Sequence, residues 1–289
     1  MRQRVRFGME YMENGMSWRR MLGVAGSVAS LGMTTQAMAA GAQSWTGFYA
    51  GLTGGYGLSR SNGTALPGDP NTDRLTGGLP VVSPLVAGAD GSGWFAGALA
   101  GYNWQVDRRA IVGIEADLSA ADLAGRGTTA TPVFGGQNTG TFNASQRLRW
   151  FGTLRGRAGV LPSENLLLYA TGGLAVGGID HASSLILDPG QSNSIGLFGY
   201  GFGCGGIYGS TTCFAGDISR TAWGWAAGLG GEYRATQNVT LRFEYLYLDF
   251  GKTGYVLPAV HYTTPLASVL NASGDSRFNL FRLGASYRF

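Results

Sequence analysis

The stretch Gln146–Leu161, Q-R-L-R-W-F-G-T-L-R-G-R-A-G-V-L, decides the fold. Read with a period of two, Leu148, Trp150, Leu154, Ala158 and Val160 fall on one face, with Gly152 and Gly156 between them. Arg147, Arg149, Thr153, Arg155 and Arg157 fall on the other. Such alternation marks a β-strand between two different environments. Four arginines on one face cannot line a dry core, because an unpaired buried charge is costly. The opposite face is apolar enough to meet lipid.

The same pattern recurs outward from this stretch. Ala110–Ser119 sets Val112, Ile114, Ala116 and Leu118 against Gly113, Glu115 and Asp117. Trp223–Arg234 sets Trp223, Trp225, Leu229 and Tyr233 against glycines and Glu232. Val239–Tyr247 sets Leu241, Phe243, Tyr245 and Tyr247 against Arg242 and Glu244. Phe278–Phe289 sets Phe281, Leu283, Ala285, Tyr287 and Phe289 against Arg282, Gly284, Ser286 and Arg288. Trp45–Leu58, Gly93–Gln105 and Leu166–Ile179 complete eight strands. In that register Phe95, Leu99 and Leu167 point inward with the charges, and so do Leu246 and Leu248, where a bulge is one remedy.

The connections sort by length. Val106–Arg109, Pro162–Asn165 and Ala235–Asn238 are tight turns, and they alternate with long links near 59–92, 120–145, 180–219 and 251–276, rich in Gly, Ser, Thr, Asn and Pro. Short turns at one end and long loops at the other are the asymmetry of an outer-membrane barrel, which a soluble sandwich has no reason to adopt. The expected fold is all-β: an eight-stranded antiparallel up-and-down transmembrane β-barrel with extracellular loops.

Register can be read from the turns. The turn at Ala235–Asn238 places Glu232 opposite Arg242; Arg282 then falls opposite Glu244, and Glu115 and Asp117 fall near Arg155 and Arg157. With Arg147 and Arg149, these residues form the expected charge network of the lumen, each cross-strand pair contributing a few tenths to ~1 kcal/mol. Eight strands enclose only enough space for side chains. Gly51, Gly97, Gly101, Gly173, Gly224, Gly228 and Gly284 fall on the same inner face, where a narrow barrel crowds Cβ atoms. Trp45, Tyr102, Trp104, Tyr233, Tyr245, Tyr247, Tyr287 and Phe289 cluster near strand ends, as in an interfacial aromatic girdle.

Composition agrees. Of 289 residues 50 are glycine, aromatics make up 12% and charged residues only 13%, against a usual ~7% glycine and ~25% charge. Arg19-Arg20 followed by the apolar run Met21–Met33 and Ala37-Met38-Ala39 reads as a secretory signal peptide over 1–39, too short for a membrane helix. Met9 and Met16 are alternative starts for this long leader. Removing it leaves sixteen basic and fifteen acidic residues, so the basic excess of the whole chain gives no support to nucleic-acid binding. Cys204 and Cys213 sit in a Gly-rich stretch of an exported chain, where a short-loop disulfide is the default and no further ligands have metal-site spacing. No metal or cofactor is expected.

The motifs W-T-G-F-Y-A-G-L-T-G-G-Y (Trp45–Tyr56), A-G-Y-N-W-Q (Ala100–Gln105), G-I-E-A-D-L (Gly113–Leu118), Y-A-T-G-G-L-A (Tyr169–Ala175) and F-E-Y-L-Y-L-D (Phe243–Asp249) resemble the porin-like outer-membrane surface proteins of alphaproteobacteria. The terminal Y-R-F, through Tyr287 and Phe289, resembles the assembly signal of outer-membrane barrels. The resemblance spans all eight strands. It implies an OmpA-type barrel in the Gram-negative outer membrane, with membrane lipid, lipopolysaccharide and the barrel-assembly machinery as partners. The loops match no known pattern, and peptidoglycan anchoring through a following periplasmic domain is not implied.

Three functions remain open. The first is a non-enzymatic surface and structural protein contributing to envelope integrity and external contacts. The second is a narrow channel for small solutes, in which Arg147, Arg149, Arg155 and Arg157 favour anions. The third is a lipid-modifying enzyme using His181 or His261 with Asp180, Ser183 or Ser184; no G-x-S-x-G elbow accompanies them.

Overall fold

Alternation along each strand gives the sheet one apolar outer face and one mixed inner face, and closing the sheet hides its edges. The computed structural model describes residues 44–67, 85–133, 138–187, 211–260 and 269–289. The leader, Cys204 and His261 lie outside the described residues. The described residues form ten strands: β1 (Gly47–Arg60), β2 (Asn62–Pro67), β3 (Leu85–Gly88), β4 (Gly91–Asp107), β5 (Ala110–Val133), β6 (Asn138–Ser163), β7 (Leu166–Leu187), β8 (Thr211–Arg234), β9 (Val239–Pro258) and β10 (Val269–Arg288). Eight of them make an antiparallel ring, β1-β4-β5-β6-β7-β8-β9-β10, closed by β10 on β1 from Arg60 opposite Arg277 to Tyr49 opposite Arg288. β2 continues the wall where β1 ends, pairing with Leu270–Gly274 of β10, and β3 pairs with β2.

The outer face of the lower half is an apolar band. Leu52, Leu118, Leu154, Leu229 and Leu283 are each more than half exposed, and no described charged residue shares their band. Aromatic pairs bound it: Tyr102–Trp104 and Phe48–Phe289 below, Tyr56–Trp94 and Trp225–Tyr247 above. From Trp94 to Trp104 the wall rises about 25 Å at ordinary strand spacing and barrel tilt, the height of a hydrocarbon layer. Exposing this much contiguous leucine to water is untenable for a soluble monomer.

Strand length departs from expectation. β5, β6, β7 and β8 have 24, 26, 22 and 24 residues, whereas ~9–11 suffice to cross a bilayer. Most of the described residues in the spans read as loops (59–92, 120–145, 180–219 and 251–276) are strand that carries the barrel wall well above the apolar band. Their Gly, Ser, Thr and Asn residues resemble turn chemistry. In the wall, however, they form a polar outer face over an inner row of Phe142, Ala144, Leu185, Phe214, Leu257, Leu270 and Ala272.

The interior is layered. At the short-turn end Trp45, Ile111, Leu161, Leu167 and Tyr169 pack together, with Arg234 and Arg288 over the Trp45 ring at 4.4 and 5.1 Å. Trp45 is therefore an interior residue and not part of the expected aromatic girdle, because its ring closes the end of the lumen instead of facing lipid. A charged tier follows. Above it lies an apolar tier that includes Phe95, Leu123, Leu148, Phe151, Ile179, Leu246, Leu248, Phe278 and Leu280. A polar tier with Gln146, His181 and Ser276 separates this from the uppermost apolar cluster around Phe142. Leu246 and Leu248 point inward within a continuous ladder, so no bulge is needed there. They belong to the apolar tier, which the inward positions of Phe95 and Leu280 help to build.

Candidate functional site: the lumen cluster

Adjacent antiparallel strands bring same-face residues level, and here they bring opposite charges level. Glu115 faces Arg155 across β5–β6, Glu232 faces Arg242 across β8–β9, and Glu244 faces Arg282 across β9–β10. The cluster reaches across the lumen as well as along the wall. Arg155 joins three carboxylates from two strands: Glu115 at 2.7 Å and Asp117 at 2.8 Å on β5, and Glu244 at 2.8 Å on β9. Arg157 reaches Glu232 at 2.8 Å and Glu115 at 3.4 Å. Arg242 holds Glu115 at 2.6 Å and also pairs with Glu232. Arg282 lies 3.3 Å from Asp117 and 3.2 Å from Glu244. Four arginines thus meet four carboxylates, every one of these side chains at most 4% exposed. Neutrality as a set is what makes such burial tolerable.

Neutral side chains complete the tier. Tyr49 donates to Glu115 at 2.8 Å and accepts from Arg157 at 2.8 Å; Thr153 donates to Asp117 at 2.6 Å. The Arg157 guanidinium lies 4.0 Å over the Tyr169 ring. Tyr49 and Tyr169 share the inward parity of Gly51 and Gly173, so strand register pointed them into the lumen, but only the structure shows them joining the charge cluster. Gly101 makes room for Tyr49, since a Cβ there would collide with its ring and hydroxyl.

Arg147 and Arg149 are not part of the lumen, which corrects the single-phase reading of β6. The ladder slips by one residue at Leu148/Trp150 against β7 and at Ala120/Leu123 against β5. Below the slip the odd-numbered residues Phe151, Thr153, Arg155 and Arg157 point inward; above it the even-numbered Phe142, Ala144, Gln146 and Leu148 do. Keeping one phase would bury two more guanidiniums without carboxylates and expose Leu148 and Phe142. Inverting it buries both apolar side chains, each stabilising by about 1.5–3 kcal/mol. Outside, Arg147 binds Asp122 at 2.9 Å and Arg149 binds Asp180 at 3.0 Å. The second alternation, Phe142-Ala144-Gln146-Leu148, was the available signal.

The His181 chemistry does not assemble among the described residues. His181 faces inward, its Nε2 3.0 Å from the Ser276 hydroxyl. Asp180, next in sequence, points to the opposite face and binds Arg149 and Ser219. Ser183 pairs with the Tyr255 hydroxyl at 2.7 Å, and Ser184 accepts from Asn143 at 3.3 Å. Successive strand residues cannot converge on one face, so the Asp180–His181–Ser183 set carries no relay. Cys213 is buried in the uppermost apolar cluster. At the lower rim Tyr287 and Phe289 are exposed, and the Phe289 amide donates to the Phe48 carbonyl at 3.1 Å.

Comparison with known proteins agrees with this architecture. Residues 25–289 match the family model described as the outer membrane protein beta-barrel domain. The 31 kDa outer-membrane immunogenic protein of Brucella melitensis is 29% identical over 250 residues, covering 85% of this chain and 84% of that protein. The 22 kDa outer membrane protein of Rhizobium leguminosarum is 27% identical over 217 residues, covering 75% and 69%. Among solved structures, OprG of Pseudomonas aeruginosa aligns with a TM-score of 0.44 at 13% identity, covering 84% of this chain and 96% of that one.

Proposed function

The chain belongs to the outer membrane protein β-barrel family and resides in the bacterial outer membrane; from that premise we propose that it is a non-enzymatic surface and structural protein rather than a solute channel. The observation that carries the reading is the closed cross-section of the barrel. A neutral, hydrogen-bonded charge tier is followed by a dry apolar tier in which Leu123, Leu148, Phe151, Ile179, Leu246, Leu248, Phe278 and Leu280 are all 0% exposed. An ion following the axis would have to leave compensated charge and enter close-packed hydrocarbon, with a desolvation cost of several kcal/mol. An anion path also needs unmatched positive charge, and the four lumen arginines of this tier are matched one to one.

In this reading the lower band anchors the protein, and the raised wall and its connecting segments present polar surface to the outside. Tyr287 and Phe289, outward-facing at the last strand, are the residues offered to the barrel-assembly machinery. Reconstitution in planar bilayers tests the proposal. The expected result is the absence of discrete conductance steps from protein whose folding is shown by heat-modifiable gel mobility. Reproducible steps of a water-filled pore from the same preparation would overturn it.

A further inference from the structure

Above the outer aromatic girdle the wall of β5–β8 turns from leucine to charge and small polar residues. In the ladder, Ala124, Arg147, Asp180 and Ser219 form one row, and Arg126, Ser145, Ala182 and Asp217 form the next. The small side chains of Ser145 and Ala182 leave a groove between Arg126 on one rim and Asp217 on the other. Its two adjoining parts measure about 360 and 560 Å³, within the ~300–1,000 Å³ of ligand sites. Higher up it is lined by Thr128, Asn143 and Ser184.

We propose that this groove binds the phosphorylated saccharide headgroup of an outer-leaflet glycolipid of the lipopolysaccharide type. Height selects the occupant. Arg147 lies three residues above Trp150 and Asn143 seven, which at ordinary rise and tilt is about 8 and 18 Å above the girdle. A phospholipid headgroup zone is only about 5–8 Å deep on each side, so it reaches Arg147 and leaves the remaining groove empty. A phosphate followed by sugars fills it.

Charge geometry places the phosphate. Asp122 engages Arg147 through Nε at 2.9 Å, which leaves both Nη groups of that guanidinium for an outside acceptor. Arg126, diagonal to it on β5, has no ion pair among the described residues. Two guanidiniums flanking one phosphate allow forked, charge-assisted hydrogen bonds. Arg149 is committed to Asp180 and to the Ser219 hydroxyl at 2.7 Å, so it orders the lower rim rather than binding ligand. Asn143, Ser145, Ser184 and Asp217 offer the amide, hydroxyl and carboxylate groups that sugar hydroxyls pair with.

The proposal rests on the membrane placement above but not on the lumen being closed. Conductance steps would overturn the surface-protein reading and leave glycolipid binding standing. The test is native mass spectrometry of the full mature chain in detergent micelles, loaded with lipid A carrying two inner-core sugars or, separately, with phosphatidylglycerol. The expected result is bound glycolipid retained at least tenfold more than phosphatidylglycerol, and a tenfold loss of that retention in Arg126→Ala/Arg147→Ala. Arg60→Ala, on the far wall, should retain it fully, and heat-modifiable mobility should be unchanged in all three proteins. Equal retention by the double variant, or equal retention of the two lipids, would overturn it.

Discussion

Replacing Arg155 by methionine removes the guanidinium that three carboxylates share, and the surroundings set the cost. Asp117 keeps Arg282 at 3.3 Å and Thr153 at 2.6 Å, Glu115 keeps Arg242 at 2.6 Å and Tyr49 at 2.8 Å, and Glu244 keeps Arg282 at 3.2 Å. No carboxylate is stripped bare, so the three lost contacts do not add as three broken pairs. What remains is one uncompensated negative charge in a tier whose members are almost wholly buried, and breaking a buried pair in this way costs about 3–5 kcal/mol. Arg147→Met is the contrast, because its partner Asp122 is 67% exposed and the arginine 55%; an exposed pair contributes at most about 1 kcal/mol. Urea titration in lipid vesicles, followed by tryptophan fluorescence and by heat-modifiable mobility, measures both. Adding Glu244→Gln to Arg155→Met restores charge balance and should recover about 1–3 kcal/mol. Equal losses for Arg155→Met and Arg147→Met, within about 0.5 kcal/mol, would refute the division of these arginines between lumen and outer wall.

Two further outcomes test the wall. Leu229→Arg on the apolar band should destabilise the barrel by about 2–4 kcal/mol, whereas Val256→Arg, equally outward but above the band, should stay within about 0.5 kcal/mol; the same titration reads both, and similar costs would misplace the bilayer boundary. Among the described residues the β8–β9 ladder stops at Trp225 opposite Asp249 and resumes only as a single bridge at Phe214–Ala259. Amides of β8 above Trp225 that point toward β9 should therefore exchange with deuterium faster than their neighbours pointing toward β7, as read by amide-resolved NMR in micelles, and equal protection would contradict an open ladder.

Much of this molecule was decided locally. Period-two alternation is a property of neighbouring residues, so Leu118, Leu154, Leu229 and Leu283 announce a lipid-facing wall without knowledge of what they pack beside. The four-residue turn Ala235–Asn238 fixes which residues of its two strands are level, and hence that Glu232 meets Arg242. The tertiary structure alone decided where alternation changes phase. Arg147 and Arg149 share parity with Arg155 and Arg157, yet they leave the lumen because Leu148, Leu123, Phe151 and Ile179, from three strands, gain more by closing an apolar tier than one regular strand would. It also decided that spans with loop-like composition continue as wall, since Phe142, Leu185, Phe214 and Leu257 find one another only across the closed ring. Side-chain direction along a strand is set by its own backbone, whereas a bulge or an added core layer is selected by surfaces that sequence separates by a hundred residues.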